Sequence, residues 1–455
     1  MTSRDYFKGK RIAVMGLGAQ SEMIADVKFL IKAGALVSVY DVKSEARLKT
    51  HLLFLRSIGL ANYVCGNIPP DDLLDMDLIL LSHEFPRDSS CLKAVYEHNT
   101  RFDAKEGEDK ETVRKIPVEY PETLFFRLAP PVTLIGVIGM SGKSTLISIL
   151  GPMLEKVCKQ YESQQLFYLD PESEDGILAH LKKVKSSDIV LMRVVDLILP
   201  ELHAMRISPH VAIFTSIPTK TSYTSTPFEI LAFQTYNNFI IASDEIIDAM
   251  RSLSFQTRAK MLRTKETFVP LDWGFQGRGI HDRLNASLAL QAAKLFKVDD
   301  DMARESLNTW KSLKGRLEFV KKVRNVEYFN DSMSMSPDAT LAGVASLAEN
   351  RNVILIFGGA DSKHEYRILY SEIPKYIHTL VSIPGSGTMK QRVMLQELEG
   401  LKMHASPSIE EAVRKASEFA QKGDRVLFSP GFEAGGVEGS KKERGEKFVR
   451  AVRAL

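Results

Sequence analysis

Residues Gly136–Thr145 read GVIGMSGKST and follow the apolar run Val132–Ile135. The helix-compatible segment Leu146–Leu150 comes directly after them, so the local pattern is strand, glycine-rich turn, helix. Such a turn leaves backbone N–H groups free to face phosphate oxygens above a helix N-terminus, and it adds the charge of Lys143 and the hydroxyl of Ser144. The stretch therefore predicts a phosphate-binding loop.

The spacing of this loop is a variant of the generic P-loop, which has four residues between its first glycine and Gly-Lys. Five residues separate Gly136 from Gly142, so the match is to G-x-x-G-x-x-G-K-S. A chance glycine-rich turn is the alternative. The position of Lys143 and Ser144 at a strand-to-helix junction favours the phosphate-binding reading.

Length, charge and cysteine content limit the number of domains and the kinds of partner that the chain can have. The chain has 455 residues and a formal charge of +3 from 60 basic and 57 acidic residues, which gives no case for nucleic acid or a membrane surface as a bulk partner. Its length predicts two to four domains. The cysteines Cys65, Cys91 and Cys158 form no C-x-x-C pair, so neither a disulfide framework nor a zinc site is indicated, and a reducing cytoplasm fits. The N-terminus shows no apolar signal region, and no apolar run reaches membrane-spanning length.

The first unit has a Rossmann-type βαβ pattern. Strand Arg11–Met15 leads into Gly16 and Gly18, and strand Leu36–Tyr40 ends at the acidic Asp41. Only two glycines of the dinucleotide fingerprint are present, which favours one nucleotide part over a complete dinucleotide. A later strand ends at Ser82, again at the carboxyl edge where open α/β sheets bind ligands. Purely structural turns are the alternative.

Two further α/β units follow. In the central unit, the strand Asp188–Val195 is followed by Asp196, a candidate magnesium ligand one strand from the phosphate loop, although a turn role is equally compatible. His281 and Asn285 stand four residues apart at a helix start and share one face. From Lys314 onward, strands alternate with helices, which predicts a third parallel-rich α/β domain.

Several motifs occur along the chain in one order. Besides the phosphate loop they are His281-x-x-x-Asn285, GRLE at Gly315–Glu318, NDS at Asn330–Ser332, GGAD at Gly358–Asp361 and ERG at Glu443–Gly445. In this order, the chain resembles the Mur ligase family from about residue 9 to its C-terminus.

The resemblance implies a fold of the α/β class with three domains. They are a Rossmann-like domain that binds the UDP part of the substrate (1–116), a central P-loop ATPase-like parallel sheet that binds ATP and Mg²⁺ (117–313), and a Rossmann-like domain that delivers the amino acid (314–455). It also implies a cytoplasmic monomer that joins D-glutamate to UDP-N-acetylmuramoyl-L-alanine, with no nucleic acid or membrane partner. The substrate carboxylate would take the γ-phosphoryl group of ATP, and the amine would attack the resulting acyl phosphate.

Site residues carry over by position in the motifs. The implied catalytic residues are Lys143 and His281, and the implied metal ligands are Ser144 and Asp196. The implied nucleotide-binding residues are Gly139, Met140, Ser141, Gly142, Lys143, Ser144, Thr145, Asn285, Arg316 and Asp331. The implied substrate-binding residues are Gly16, Gly18, Asp41, Ser82, Pro86 and Lys363.

The chain departs from the family at two places. Asp196 faces the family's magnesium-binding glutamate, Ser216–Ser222 lacks the second-metal histidine, and Gln234 falls near the position of a carbamylated lysine. In the amino-acid pocket, Asp331–Ser336 and Glu433–Glu438 differ from the family pattern. These departures leave three alternatives: a working ligase for D-glutamate, a ligase for another acceptor, and a nucleotide-binding relative with impaired catalysis.

Overall fold

The computed structural model describes residues 3–18, 23–103, 114–161, 164–171, 173, 175–217, 226–361, 364–396, 398, 400–435 and 439–455. Contacts divide the chain into two compact units. One consists of Met1–Lys143 with Leu154–Arg263, and the other of Ser144–Met153 with Thr264–Leu455. The division falls inside a single helix that follows the phosphate loop.

The N-terminal sheet has five parallel strands in the order β3-β2-β1-β4-β5. These strands are β1 (Arg11–Met15), β2 (Leu36–Asp41), β3 (Asn62–Cys65), β4 (Leu78–Leu81) and β5 (Val118–Glu119). The accompanying helices are α1 (Ser3–Phe7), α2 (Ile24–Lys32), α3 (Glu45–Ser57), α4 (Asp71–Leu74), α5 (Ser90–Asp103) and α6 (Pro121–Leu128). All four residues of β4 are apolar and buried, as expected for a strand covered on both faces.

The central sheet has six parallel strands in the order β11-β10-β9-β6-β8-β7 and belongs to the same unit. They are β6 (Thr133–Ile138), β7 (Leu166–Leu169), β8 (Ile189–Arg193), β9 (Val211–Phe214), β10 (Phe239–Ala242) and β11 (Lys260–Arg263). The helices are α7 (Lys143–Tyr161), α8 (Leu199–Ala204) and α9 (Asp244–Ser252), with short 3₁₀ turns at Leu178–Lys182, Asp196–Ile198 and Thr226–Leu231. Because β6 lies between β8 and β9, the ends of both strands flank the phosphate loop.

The second unit begins with a 3₁₀ turn at Glu266–Phe268 and the helices α10 (Gly279–Leu295) and α11 (Asp300–Thr309). Its sheet has the order β12-β13-β17-β14-β15-β16, in which only β12 and β13 pair antiparallel. The strands are β12 (Glu318–Val323), β13 (Val326–Asn330), β14 (Val353–Phe357), β15 (Ile377–Ser382), β16 (Lys402–Ala405) and β17 (Arg425–Phe428). The helices are α12 (Pro337–Leu347), α13 (Arg367–Glu372), α14 (Ser386–Lys390), α15 (Arg392–Gln396), α16 (Ile409–Phe419) and α17 (Lys441–Arg453), with a 3₁₀ turn at Ile373–Lys375.

Three parallel-rich sheets confirm the predicted α/β fold class, including the strand-loop-helix of the central sheet. The domain boundaries at residues 116 and 313 stay a prediction. Among the described residues, no helix is long and apolar enough to cross a membrane.

Candidate functional site

The phosphate loop connects β6 to α7, as the sequence predicts. Gly139 and Gly142 adopt φ values of 143° and 85°, which side chains disfavour. A Cβ on Gly139 would collide with Oγ1 of Thr215, the residue that follows β9. Glycine is therefore required at position 139 by both the backbone conformation and the close approach of the neighbouring strand end.

Two hydroxyl side chains brace the loop from the end of β9. Oγ1 of Thr215 donates to the Ser141 carbonyl at 2.5 Å, and the Ser141 N–H donates to Oγ of Ser216 at 2.9 Å. Neither residue is recognisable from the sequence as part of the loop. The available signal was their position directly after an apolar strand, but the adjacency of β9 to β6 is a property of the sheet order.

Lys143 is the first residue of α7, and its ammonium group donates to the Gly139 carbonyl within the same turn. The side chain thus curls over the loop that is predicted to receive phosphates. Met140 is 62% exposed and Ser141 is also exposed, whereas Thr145 is buried at the start of the helix. The loop therefore has exposed residues at its tip, and the lysine at the start of the helix contacts the loop backbone.

The carboxyl end of β8 differs from the sequence interpretation. The strand ends at Arg193, which is in register with Val137 of β6, so Asp196 does not end the strand. Asp196 is instead the exposed first residue of a 3₁₀ turn, Asp196–Ile198. Nη1 of Arg193 lies 3.3 Å from Oδ1 of Asp170, which follows β7. The end of β8, one of the two strands beside β6, therefore carries an arginine paired with an aspartate. The sequence interpretation missed this pair because it placed the end of the strand two residues too late.

The predicted magnesium ligands, Ser144 and Asp196, are one hydroxyl and one carboxylate. Mg²⁺ is commonly held by one or two protein groups plus substrate phosphates, and Ser144 and Asp196 could supply a hydroxyl and a carboxylate. Within the part of the chain that the structure describes, no group of three or more His, Cys, Asp and Glu side chains could hold a metal ion. An all-protein metal centre is therefore not supported by the described residues.

The position expected for a carbamylated lysine has a structural role. Nε2 of Gln234 donates to the Pro209 carbonyl at 2.7 Å, and the residue is only 6% exposed. Its amide thus secures the chain entering β9. Residues 218–225, which include Lys220 and most of the segment that lacks the second-metal histidine, lie outside the described residues.

In the second unit, α10 begins at Gly279 and carries both His281 and Asn285 in its first two turns. His281 is exposed and Asn285 is buried, at 6% exposure. The N–H of Arg278 donates to Oδ2 of Asp282 at 2.9 Å, which stabilises the start of the helix. The four-residue spacing therefore places the two predicted site residues on one helix face, as expected.

The GRLE and NDS motifs form one hydrogen-bonded structure. Asp331 is 4% exposed; its Oδ1 accepts from the Leu317 N–H at 3.1 Å, and its Oδ2 accepts from the Ser429 hydroxyl at 2.8 Å. Burial raises the pKa of Asp331 to about 6, against the opposing effect of its hydrogen bonds. Nη2 of Arg316 lies 3.5 Å from Oγ of Ser144, so two predicted site residues of this unit lie together. Asp331 acts as a loop brace whatever further contact it makes with a nucleotide.

At the N-terminal sheet, Asp41 joins two loops. Its Oδ2 accepts from the Leu17 N–H at 2.9 Å and its Oδ1 accepts from the Lys43 N–H at 2.8 Å, while Nζ of Lys43 donates to the Gly18 carbonyl at 2.7 Å. Gly16 and Gly18 have φ values of 78° and 85°. The carboxylate predicted to accept from a ligand therefore also holds the glycine turn in place.

The end of β4 carries a buried hydroxyl. Ser82 is 4% exposed, and its Oγ has no hydrogen-bond partner among the described residues. This atom lies against Gly16, where a Cβ would approach it to 2.7 Å. Pro86 is exposed three residues further along the loop from His83. Ser82, Gly16 and Pro86 therefore lie at the carboxyl edge of the sheet, as predicted.

His83, which follows Ser82, forms an ion pair that the sequence did not reveal. Its Nε2 lies 3.1 Å from Oε1 of Glu122, which has no solvent exposure, and its ring stacks on Tyr120 at 5.2 Å between centroids. Burial favours a lower pKa for His83, but the charge of Glu122 and its hydrogen bond together outweigh burial, so the pKa is raised. Burial also raises the pKa of nearby Asp26 to about 7, against the effect of the Leu178 N–H that it accepts. The loop after β4 thus places an imidazole with a raised pKa at the predicted substrate edge.

The loops after β13 and β17 are joined by a buried guanidinium. Arg444 is 2% exposed and donates to the carbonyls of Ser332, Phe432 and Glu433, at 2.8 Å for the shortest bond. Burial lowers its pKa to about 10. These loops are the ones that the resemblance assigns to the incoming amino acid. Lys363, predicted to contact substrate, lies outside the described residues.

Comparison of the sequence with known proteins shows similarity to the Mur ligases. Residues 315–432 match the family model described as Mur ligase, glutamate ligase domain. Over 492 aligned residues, the chain is 24% identical to UDP-N-acetylmuramoylalanine–D-glutamate ligase of Acetivibrio thermocellus, covering 98% of this chain and 97% of that protein. The chain is therefore similar to Mur ligases along its whole length, which confirms the resemblance drawn from its motifs.

Solved structures agree on the fold. UDP-N-acetylmuramate–alanine ligase MurC of Thermotoga maritima aligns with a TM-score of 0.58 at 14% identity, covering 98% of this chain and 99% of that one. MurF ligase of Thermotoga maritima, solved in complex with ADP, aligns with a TM-score of 0.56 at 14% identity, covering 100% and 97%. At this identity the likeness concerns the fold alone.

Proposed function

We propose that this protein is an ATP-dependent ligase that joins D-glutamate to UDP-N-acetylmuramoyl-L-alanine in peptidoglycan precursor synthesis, acting as a cytoplasmic monomer. The observation that carries the proposal is the intact phosphate loop, with Lys143 over a glycine turn braced by Thr215 and Ser216. The similarity to a ligase named for D-glutamate over nearly its full length supports the choice of substrates.

The proposed reaction transfers the γ-phosphoryl group of ATP to the substrate carboxylate, and the amine of the amino acid then displaces phosphate. Phosphoryl transfer is catalysed mainly by positioning and by neutralising charge. The backbone N–H groups of residues 139–142 would orient the phosphates, and Lys143 would exchange its contact with the Gly139 carbonyl for a phosphate oxygen. A nucleotide-borne Mg²⁺, when bound, supplies further charge neutralisation at Ser144 and Asp196.

Other predicted residues have distinct roles in this proposal. Arg316 would add a second cation beside Ser144, and His281 and Asn285 would contact the nucleotide from α10. Gly16, Asp41, Ser82 and Pro86 would receive the UDP-bearing substrate at the N-terminal sheet. Lys363 would contact the amino acid.

A second candidate function is a nucleotide-binding relative with impaired catalysis. Two observations favour it. Strand β8 ends in Arg193 beside the phosphate loop, and the Gln234 amide donates a hydrogen bond to the Pro209 carbonyl. Neither group can replace a metal-bridging carbamate. This candidate retains ATP binding but predicts no acceptor-dependent turnover.

Phosphate release from ATP distinguishes the candidates. The assay contains UDP-N-acetylmuramoyl-L-alanine, Mg²⁺ and each member of a panel of D- and L-amino acids. Release that depends on D-glutamate, with the amide product identified by mass spectrometry, supports the proposal. Phosphate release that depends on another amino acid would show that this amino acid, and not D-glutamate, is the acceptor. ATP binding without phosphate release for any amino acid would support the second candidate function.

A further inference from the structure

The helices of the C-terminal sheet lie on both of its faces. Leu369 of α13 and Leu395 of α15 pack with Leu380 of β15 in one apolar core. Val413 of α16 packs with Val381, the next residue of β15, in a separate core. Because neighbouring residues of a strand point to opposite faces, α13 and α15 cover one face and α16 covers the other.

The chain consequently changes face between two neighbouring strands. The connection after β15 runs through α14 and α15 on the first face, whereas the connection after β16 runs through α16 on the second. Strands β15 and β16 are adjacent and parallel. Loops that diverge to opposite faces from adjacent strand ends leave a crevice, and in open α/β sheets such a switch point is where ligands bind.

A cavity of about 670 Å³ lies at this switch point and includes Ser382 and Ala405, the last residues of β15 and β16. The Ser406 N–H donates to the Ser382 carbonyl at 2.8 Å and so ties the two strand ends together. Ligand pockets typically enclose about 300–1,000 Å³. The cavity therefore has the size and the topological position of a small-molecule site.

The lining of the cavity is largely apolar with a smaller polar part. Its apolar side chains are Ile383, Pro384, Leu395, Leu398, Leu401 and Met403, and its neutral polar or titratable side chains are Ser382, Thr388, His404 and Ser406. Among the described lining residues, Arg392 is the single Lys, Arg, Asp or Glu, and it is solvent-exposed. Met389, also in the lining, is 77% exposed, which is unusual for a large apolar side chain. An apolar chamber with one cation and an accessible apolar rim complements an apolar molecule that carries one negative charge.

We propose that this cavity is a binding site for a small organic anion with an apolar ring, whose carboxylate or phosphate pairs with Arg392 and whose ring contacts Met403 and the leucines. None of the lining residues belongs to the candidate nucleotide, UDP or amino-acid sites. The site is thus additional to the proposed ligase activity and independent of it.

Methyl NMR of the full-length protein tests this site, with methionine labelled at its ¹³C-methyl group. Met389 and Met403 line the cavity, and exposed Met140 lies in the phosphate loop as an internal reporter for the other site. Signals are assigned with single methionine-to-leucine variants. The probes are phenyl phosphate, benzyl alcohol, which lacks the anion, and inorganic phosphate, which lacks the ring.

We expect phenyl phosphate to shift the methyl signals of Met389 and Met403 in a saturable manner, at least fivefold more tightly than either partial probe. Arg392→Gln should weaken phenyl phosphate binding at least fivefold and leave benzyl alcohol binding unchanged. Arg367→Gln changes an exposed arginine of α13 outside the lining and serves as the matched control.

The proposal would be overturned by the lack of a saturable shift at Met389 and Met403, by equal binding of inorganic phosphate, or by unchanged affinity in Arg392→Gln. A shift confined to Met140 would likewise overturn it, because the probe would then occupy the phosphate loop. ATP titration, read at Met140, tests the nucleotide site separately, so failure of one site is distinguishable from failure of the other.

Discussion

Nε2 of His83 lies 3.1 Å from Oε1 of Glu122, and the carboxylate of this pair is completely buried while the imidazole retains 17% exposure. The pair lies at the carboxyl edge of the N-terminal sheet, next to Ser82, whose hydroxyl has no hydrogen-bond partner among the described residues. A buried carboxylate next to an imidazole favours the protonated ring, because each charge compensates the other in a medium that solvates both poorly.

Replacing Glu122 by Gln should lower the pKa of His83 from above its ordinary value of 6.5 to below it, since burial and the positive charges of Arg87 and Arg193 then act on the ring. Titration of the His83 ring protons by NMR measures this change. His51, which is half-buried on α3, provides a reference signal that should not move. An unchanged His83 pKa in the variant would contradict the role assigned to Glu122.

Asp26 predicts a pH dependence of stability. Its native pKa of about 7 lies above the unfolded value of about 3.8, so the native state binds more protons between these values, and stability should fall as pH rises through this window. The effect is on the order of 4 kcal/mol at most. Asp26→Asn should flatten the pH profile of the melting temperature, whereas Asp71→Asn, an exposed control, should retain it. Parallel profiles for Asp26→Asn and wild type would refute the prediction.

Lys143→Ala should abolish ATP binding or turnover, because it removes the charge that faces the phosphates. Isothermal titration with ATP and the phosphate-release assay measure the two effects. Lys159→Ala alters an exposed lysine at the far end of the same helix and should have little effect. Normal ATP affinity and turnover in Lys143→Ala would show that the loop does not bind phosphate.

Thr215→Val should weaken ATP binding roughly threefold to tenfold, corresponding to about 0.5–1.5 kcal/mol for the lost bond to the Ser141 carbonyl. The substitution keeps the shape of the side chain, so the melting temperature should change little. Thr100→Val removes a comparable hydroxyl-to-carbonyl bond on α5 and is the matched control. Equal ATP affinity for both variants would indicate that the brace is dispensable.

Arg444→Lys should raise KM for the acceptor amino acid at least tenfold while leaving ATP affinity unchanged. Lysine cannot reproduce the set of bonds that Arg444 makes to Ser332, Phe432 and Glu433, so the two loops should lose their fixed spacing. Arg450→Lys, on the exposed side of α17, controls for the helix. A proportional loss of both ATP and acceptor binding would instead point to general unfolding.

The sequence predicted local structures better than neighbour relations. The phosphate loop and the spacing of His281 and Asn285 are local patterns, because a turn or a helix face is determined by consecutive residues. The end of β8 was misplaced, because apolar residues lie on both sides of Arg193 and the run Ile189–Val195 does not itself mark where the strand ends. The bracing of the loop by Thr215 was also missed, because it depends on β9 being placed beside β6.

By itself, the sequence determined three α/β sheets, a glycine loop with Lys143 at a strand-to-helix junction, and the ordered motifs of a Mur ligase relative. These follow from periodicity and from backbone conformations that only certain residues adopt. Only the tertiary structure decided that His83 pairs with buried Glu122, that Arg193 ends the strand beside the loop, and that a cavity opens between β15 and β16. Strand order and burial create these relationships, and neither can be read from residues that are distant in the chain.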